Sequence, residues 1–337
     1  MSRSLIFANR RRVLAAGAAA GALAATAPLR QALAQDAGGL PGVLRILVGS
    51  TGAGPDILAR LLADRLRTAR GWNVIVENRL GAGGRIAIDA TKDAPPDGLT
   101  MMVVSIELLT LYPLVFNKLN YDSFKDFVPV SGITSSPYAL AINAKSDYRD
   151  LAGLVAWLKA NPKSSAWGTP GIGTPQQFLG HMLGRDAGME FRHVAYKGGA
   201  PAMQDLMGGQ IPCIITSYAT AAGQARAGAI RILAHSAQSR LRSAPEIPTF
   251  AELGYKSLVA EGDFIIAAQS RAPAEITRRV SEAIVADVRS DSFRAAVEKL
   301  GQEPLPAPPA EVAERMRRNH ALWATVVKAT NFKAIEE

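Results

Sequence analysis

Three times in this chain a β-type run breaks into a glycine-rich turn and restarts at a proline with helical spacing. The turns are Gly49-Ser50-Thr51-Gly52-Ala53-Gly54 before Pro55, Gly168-Thr169-Pro170-Gly171-Ile172-Gly173-Thr174 before Pro175, and Lys197-Gly198-Gly199-Ala200 before Pro201. Proline at a first helical position loses no hydrogen bond and has its φ preset, while glycine lets another group approach the backbone closely. A strand, turn and helix repeated in this way demand an α/β architecture, with largely parallel sheets expected. They also put the turns at the carboxyl ends of strands, where open α/β sheets bind ligands. Each helix start offers unpaired N–H groups and the positive end of a macrodipole, so each turn is a candidate seat for an anion.

The pattern predicts a strand over 44–48, a helix over 55–69, a strand over 74–77, a helix opened by Gly81-Ala82-Gly83-Gly84, and a strand over 99–104. It resumes after Leu151 with a helix through Leu158, a strand over 165–167, a helix from Pro175 and a strand over 192–195. A helix from Pro201, stopped by Gly208-Gly209, and a strand over 211–215 complete a second α/β unit. After Ala234 the pattern reads as helical, with helices over 275–288, 293–300 and 309–329.

Residues 1–34 have the layout of an export signal. Arg10-Arg11-Arg12 before Val13-Leu14 resembles the twin-arginine signature, an Ala/Gly/Leu run follows, and Ala32-Leu33-Ala34 is a small-x-small cleavage site. The run from Val13 to Ala27 is shorter than the ~20 apolar residues a membrane span needs. A mature periplasmic chain, cut after Ala34, is the expectation. Removing that segment takes five arginines and no acid, so the formal charge of +9 falls by five to +4. That surface suits an anionic small ligand and is far short of a nucleic-acid footprint. Cys213 is the only cysteine, so no internal disulfide can form, and its apolar neighbours mark it as a core thiol. Roughly 300 remaining residues exceed what one core usually supports, so two domains are expected.

Phosphate and carboxylate are the obvious guests for the turns. Gly49 and Gly54 have P-loop spacing, but Pro55-Asp56 stands where that motif carries Lys and Ser/Thr, and no clean G-x-G-x-x-G opens a helix. A nucleotide guest is therefore not expected. Catalysis has no support: Gly49-Ser50-Thr51-Gly52 is one residue short of a nucleophile elbow, and His181, His193, His235 and His320 have no metal-ligand spacing. No catalytic residue, metal or cofactor is expected.

Short motifs recur in order along the chain: Asp56-Ile57-Leu58-Ala59-Arg60, Val76-Glu77-Asn78-Arg79 with Gly81-Ala82-Gly83-Gly84, Ala94-Pro95-Pro96-Asp97-Gly98, and Tyr121-Asp122 with Lys125-Asp126-Phe127. In the second half come Tyr196-Lys197-Gly198 with Ala200-Pro201-Ala202, Asp205-Leu206-Met207-Gly208-Gly209-Gln210, Pro248-Thr249, and Gly301 before Pro304. In these motifs, across the mature chain, the sequence resembles an extracytoplasmic solute receptor of the tripartite tricarboxylate transporter group, the Bug receptors. The resemblance implies a two-lobe clamshell of the periplasmic binding protein type (type II-like), hinged between two α/β domains. Such a receptor holds a small carboxylate between its lobes and delivers it to membrane subunits. Lobe one is expected over 40–140 plus 237–337 and lobe two over 141–236, with a monomer as the working unit.

In that family the turn ahead of the Asp56 position and the turn matching Gly168 to Thr174 come from opposite lobes and grip one carboxylate through main-chain N–H groups and ordered waters. The expected binding residues are therefore Ser50, Thr51, Gly52, Ala53, Gly54 and Asp56 on one side and Gly168, Thr169, Gly171, Ile172, Gly173 and Thr174 on the other, with Gly198 and Ser105 added. Asp56 is expected to fix its turn or to touch a polar group of the guest. Departures from the family pattern bear on specificity: Ser50-Thr51 replaces a proline pair, Pro55 a threonine, Glu107 a small residue, Asp263 an aromatic beside Phe264, and Thr216-Ser217 an Asp-Asn pair. With Glu107 and Asp263 facing the cleft, a plain di- or tricarboxylate would be repelled, and an amino acid, a betaine or an N-heterocyclic carboxylate would fit better. A liganded clamshell read by a sensor protein is the alternative expectation, and an exported hydrolase using Ser50 or Asp56 a remote one.

Overall fold

The computed structural model describes residues 39–52 and 54–336, so the expected signal segment and Ala53, one of the expected contacts, lie outside the described residues. The chain opens with β1 (Leu44–Val48), α1 (Gly54–Arg70), β2 (Val74–Asn78), α2 (Arg85–Lys92) and β3 (Thr100–Ser105), followed by the single turns α3 (Glu107–Thr110) and α4 (Tyr112–Val115). A long strand, β4 (Phe127–Asn143), leads to α5 (Leu151–Ala160), β5 (Ala166–Thr169), α6 (Pro175–Ala187), β6 (Arg192–Ala195), α7 (Gly199–Met207), β7 (Cys213–Ser217), α8 (Tyr218–Arg226) and β8 (Ile230–His235). Then come β9 (Glu261–Gln269), α9 (Ala274–Val288), α10 (Asp291–Glu298), β10 (Glu303–Pro304) and α11 (Pro309–Ala329). Among the described residues no helix is long and apolar enough to cross a membrane.

Local sequence accounts for the helices that matter to the site. In α1, Leu58, Ala59, Leu62, Ala63 and Leu66 recur at three- and four-residue spacing and are buried, and Gly71 with φ +66° ends the helix. In α6, Thr174 caps the N-terminus by accepting the Gln177 N–H, Pro175 occupies the first turn, and Gly188 in the left-handed region closes the other end. Ser217 caps α8 in the same way through the Thr220 N–H.

Sheet pairing corrects the expectation of largely parallel sheets. β1 pairs in parallel with β2 and β3, and β5 with β6 and β7, as the βαβ units require. Every pairing made by β4 and β9 is antiparallel. β9 also overturns the reading that the chain turns helical after Ala234. β4 escaped the sequence pattern because Pro129, Gly132 and Pro137 interrupt it; two of the three fall at or beside register shifts in its pairing with β9, where a strand tolerates such residues.

β4 belongs to both halves of the molecule. Phe127–Pro137 pairs with β9 in the sheet that holds β2, β1 and β3, while Tyr138–Asn143 pairs with β7 and β8 in the sheet that holds β5 and β6. In that second stretch Tyr138, Leu140 and Ile142 face one core and Ala139 and Ala141 the other, with the period of two of a strand covered on both faces. The segment after β8 stays with the second half: Ala237, Leu241 and Ala244 pack with α7, α8 and β8, and Phe250, Leu258 and Ala260 pack with α6 and β7. Its buried side chains thus rejoin the first half only at β9, later in the chain than the position 237 read from the sequence. Helix α11 runs across both, burying Val312 and Met316 in the first half and Trp323 against Phe178 in the second.

The seating of α6 depends on one close approach. A Cβ placed on Gly180 would meet the buried Trp167 ring of β5 at 2.1 Å. Gly180→Ala must therefore push the helix off its strand, and overpacking of this kind costs typically about 1–3 kcal/mol. Denaturant unfolding of the variant should give a midpoint lowered accordingly; an unchanged midpoint would mean that α6 does not rest on Trp167.

Candidate functional site

A cleft of about 420 Å³ opens where the two halves meet. The first half lines it with Gly54 and Ile57 of α1, with Ser105, Glu107, Leu108 and Tyr112 after β3, and with Phe264, Leu300 and Gln302. The second half supplies Pro170, Thr174, Pro175 and Gln176 at the start of α6, and Ser217, Ala219 and Thr220 at the start of α8. Ser136, Tyr138 and Gly262 complete the lining on β4 and β9, where the halves join. A smaller apolar cavity of about 120 Å³ adjoins it, sharing Ser105 and Leu108 and reaching Ser50, Gly83 and Met102.

Three helices, α1, α6 and α8, present their N-terminal residues to the cleft. The described residues lining it include no lysine or arginine, and Glu107 is their only carboxylate. Attraction for an anion must then come from first-turn N–H groups, which have no acceptor within their own helix, and from the aligned peptide dipoles. Each such contribution is about 0.3–1 kcal/mol at an exposed site and up to about 2 kcal/mol where it is partly buried.

The turn before α1 is held from beneath by Asp56. Its buried carboxylate accepts the Gly52 N–H at 2.9 Å and Asn78 Nδ2 at 2.8 Å, and pairs with Arg60 at 3.0 Å. Asn78 also donates to the Ser50 carbonyl at 2.6 Å. Burial works to raise the Asp56 pKa, but the Gly52, Asn78 and Arg60 donors outweigh it and hold the group below the ordinary carboxylate range. The turn before α6 is organised alike: the Gly173 N–H donates to Gln177 Oε1 at 2.8 Å, and the Thr174 hydroxyl donates to the Gly171 carbonyl at 3.0 Å. The third turn is a buttress, since the Gly198 N–H donates to the Pro170 carbonyl at 2.9 Å.

Glu107 is 3% exposed. Ser105 Oγ donates to Oε2, and Tyr138 OH donates to Oε1 at 3.0 Å. Burial pushes its pKa up to about 7; the two hydroxyls pull it down and the nearby Asp263 charge pushes it further up. Asp263, also buried, is pushed up to about 6 against the pull of Arg315, whose Nη1 lies 3.2 Å from Oδ2.

Comparison with known proteins adds the lineage. The model of the tripartite tricarboxylate transporter family receptor matches residues 58–332. The chain belongs to that receptor family. It is 32% identical over 295 residues to Protein BugT of Bordetella pertussis (strain Tohama I), covering 84% of this chain and 87% of that protein. Among solved structures it is similar to a periplasmic transporter, at 29% identity with a TM-score of 0.77 over 86% of this chain and 98% of the other. It is also similar to R. palustris Rpa4515 with adipate, at 26% identity with a TM-score of 0.79 over 88% of this chain and 99% of the other. The fold is thus the two-lobed one of periplasmic solute receptors, and the two halves are its lobes.

Of the binding residues expected for this receptor, Gly54, Ser105, Glu107, Thr174 and Ser217 line the cleft, and Ser50 lines the adjoining cavity. Thr51 and Gly52 are exposed in the first turn and Ile172 is exposed in the second, none of them in the lining. Gly168 and Thr169 are core: a Cβ on Gly168 would meet Ile211 at 2.6 Å, and the Thr169 hydroxyl lies 2.6 Å from His193 Nε2. Gly171, Gly173 and Gly198 shape their turns, and Thr216 is buried against its neighbours. Asp263 is held by Arg315 instead of lining the cleft. The N–H groups of Gly52 and Gly173, expected to meet the guest, instead serve Asp56 and Gln177. Tyr112, Ser136, Tyr138 and Gln302 were not expected. They lie outside the three glycine-rich turns that open helices, and the folding of the two halves onto one cleft brings them together.

Asp56→Ala removes one acceptor from three donors. Gly52 and Arg60 lie at the surface and Asn78 is half-buried, so their donors can turn to water, and the receptor should lose what hydrogen bonding to a charged group contributes, about 1.5–3 kcal/mol, at pH 7. Because the folded Asp56 pKa is lowered, this contribution is present above the ordinary carboxylate range and fades as pH falls through the folded value. Urea titrations of both proteins at descending pH should show the gap closing. Glu107 has the opposite sign: with its folded pKa raised, stability is present in acid and lost as pH rises through about 7. Glu107→Gln should therefore melt higher than the wild type at pH 8, by on the order of 1–3 kcal/mol, and differ little at pH 5. Equal gains at both pH values would show that Glu107 does not titrate in the folded protein.

Proposed function

We propose that this receptor captures a small carboxylate between its lobes in the periplasm and delivers it to the membrane subunits of a tripartite tricarboxylate-type transporter, without catalysing a reaction. The observation that carries the reading is the meeting of α1, α6 and α8 N-termini, drawn from both lobes, on a cleft whose described lining has no lysine or arginine. A charge-assisted hydrogen bond contributes about 1.5–3 kcal/mol net. A few of these with helix-end terms reach the ~8 kcal/mol of a micromolar complex, so no fixed cation is required. The adipate bound to the R. palustris relative supports a carboxylate guest.

In this reading the lobes are 40–137 with 261–336 and 138–260, hinged where β4 and the stretch entering β9 cross between them. Only a closed form lets helix ends of both lobes reach one guest, so binding shifts an open-closed equilibrium. Arg10-Arg11-Arg12 and the run after them direct export by the twin-arginine route. The receptor acts as a monomer.

Thermal-shift screening of mono-, di-, aromatic and amino-carboxylates tests the reading, because a guest selective for the folded state raises apparent stability by mass action. At least one should raise the melting temperature and compact the molecule in small-angle scattering. Gly54→Val, which drives a side chain toward Phe264, should abolish the shift. A flat response across the panel would overturn the proposal.

A further inference from the structure

Besides the helix N-termini, the cleft lining carries acceptors on Glu107 and Gln302, the latter beside Gly54. Glu107 holds two hydroxyl donors, one on each oxygen, and a carboxylate oxygen retains a further lone-pair direction beyond one such bond. Gln302 lines the same cleft, is 5% exposed, and its Oε1 has no hydrogen-bond partner. The terminal torsion of a glutamine side chain is broad, so its amide can turn to present that oxygen to a guest. No cationic side chain in the described lining answers either group.

The surroundings add to the negative character around Glu107. Asp263 on β9 bears on Glu107, Glu261 bears in turn on Asp263, and Asp263 Oδ1 is a second buried oxygen without a partner. Against them stands Arg315 of α11, which is divided between Asp263 and Glu311. Tyr138 of β4 and Tyr112 of α4 face Glu107 with phenols that burial holds in the neutral form, and Arg85 of α2 acts on Tyr112 and lies over the Phe116 ring. A buried carboxylate is tolerated when a cation compensates it, and here the protein leaves that place to the guest.

We propose that Glu107 recognises a positively charged nitrogen, so that the guest is a zwitterionic carboxylate carrying an ammonium or quaternary nitrogen. This rests on the carboxylate-receptor reading and names its substrate class. Helix ends take the negative group, and Glu107 takes the positive one. The same arrangement rejects a dicarboxylate, whose second negative group would meet Glu107 across a poorly screened gap. A cation at Glu107 draws its proton off, because an opposite charge favours the ionised form. With the free carboxyl near 7, binding is coupled to proton release and strengthens as pH rises through neutrality. A dicarboxylate bound through a protonated Glu107 would have the reverse slope.

Isothermal titration at pH 6, 7 and 8 with matched pairs separates these cases: succinate with aspartate, glutarate with glutamate, butyrate with γ-aminobutyrate, and 3,3-dimethylbutyrate with trimethylglycine. The nitrogen-bearing members keep their own charge over this range, and succinate and glutarate take up a partial proton at pH 6, so their slopes are read between pH 7 and 8. In at least one pair the nitrogen-bearing member should bind the wild type at least tenfold more tightly at pH 8, weaken about tenfold by pH 6, and release protons on binding. Glu107→Gln should erase that preference, bringing the two members of the pair to similar affinity. Should the variant fail to fold, the slope of the wild type with pH decides. Tighter binding of the nitrogen-free members, gaining strength as pH falls, overturns the proposal and leaves the carboxylate receptor standing, as does a preference that survives in Glu107→Gln. Absence of binding by all eight compounds overturns both.

Discussion

The molecule depends on one strand that serves two sheets. β4 pairs with β9 along its first part and with β7 and β8 along its second, so each lobe completes its sheet with one portion of a strand that continues into the other. The second crossing is tied to the first through Ser236 as well as by direct pairing of β4 with β9. Ser236 Oγ accepts the Tyr138 N–H at 2.9 Å and donates to the Ala260 carbonyl, while the Ser236 N–H donates to the Tyr138 carbonyl at 2.8 Å. Because Tyr138 also donates to Glu107 in the cleft, the joint between the lobes and the lining of the site share a residue.

Electrostatic preorganisation in the cleft follows from what the turns already use. Asp56 and Gln177 take the N–H groups of Gly52 and Gly173, which fixes the turns in place before any guest arrives. The helix ends they support then present their donors without rearrangement, and a site whose parts need not be ordered on binding loses less free energy to that ordering. Arginine or lysine at the same place would attract an anion more strongly, but would also hold it against release.

Much of the fold was legible in local sequence. The strand over 44–48, the helix from Pro175, the strand over 192–195 and the helix over 309–329 fall where apolar period, proline and glycine put them. β4 and β9 were not legible, because Pro129, Gly132 and Pro137 break the pattern of a strand unless the partner's register shift is known. The site divided along the same line. Thr174 and Ser217 could be found as caps ahead of helices, whereas Gly168 looked like a ligand contact and is a packing position against Ile211. Glu107 was visible as an acid in an unusual place, but its burial against Tyr138 was not.

By itself the sequence determined the strand–turn–helix units, the positions of the helix starts and the absence of a nucleotide signature, since each is written within a few residues by backbone preference and periodicity. Tertiary structure alone decided which of those helix starts share a cleft, that Asp56 serves its own turn, that Asp263 is held by Arg315, and that Glu107 is left with hydroxyls and no cation. Those outcomes depend on pairs of residues far apart in the chain, such as Tyr138 with Ser236 and Asp263 with Arg315. Their meeting is fixed by how two sheets are joined, and no local propensity carries that information.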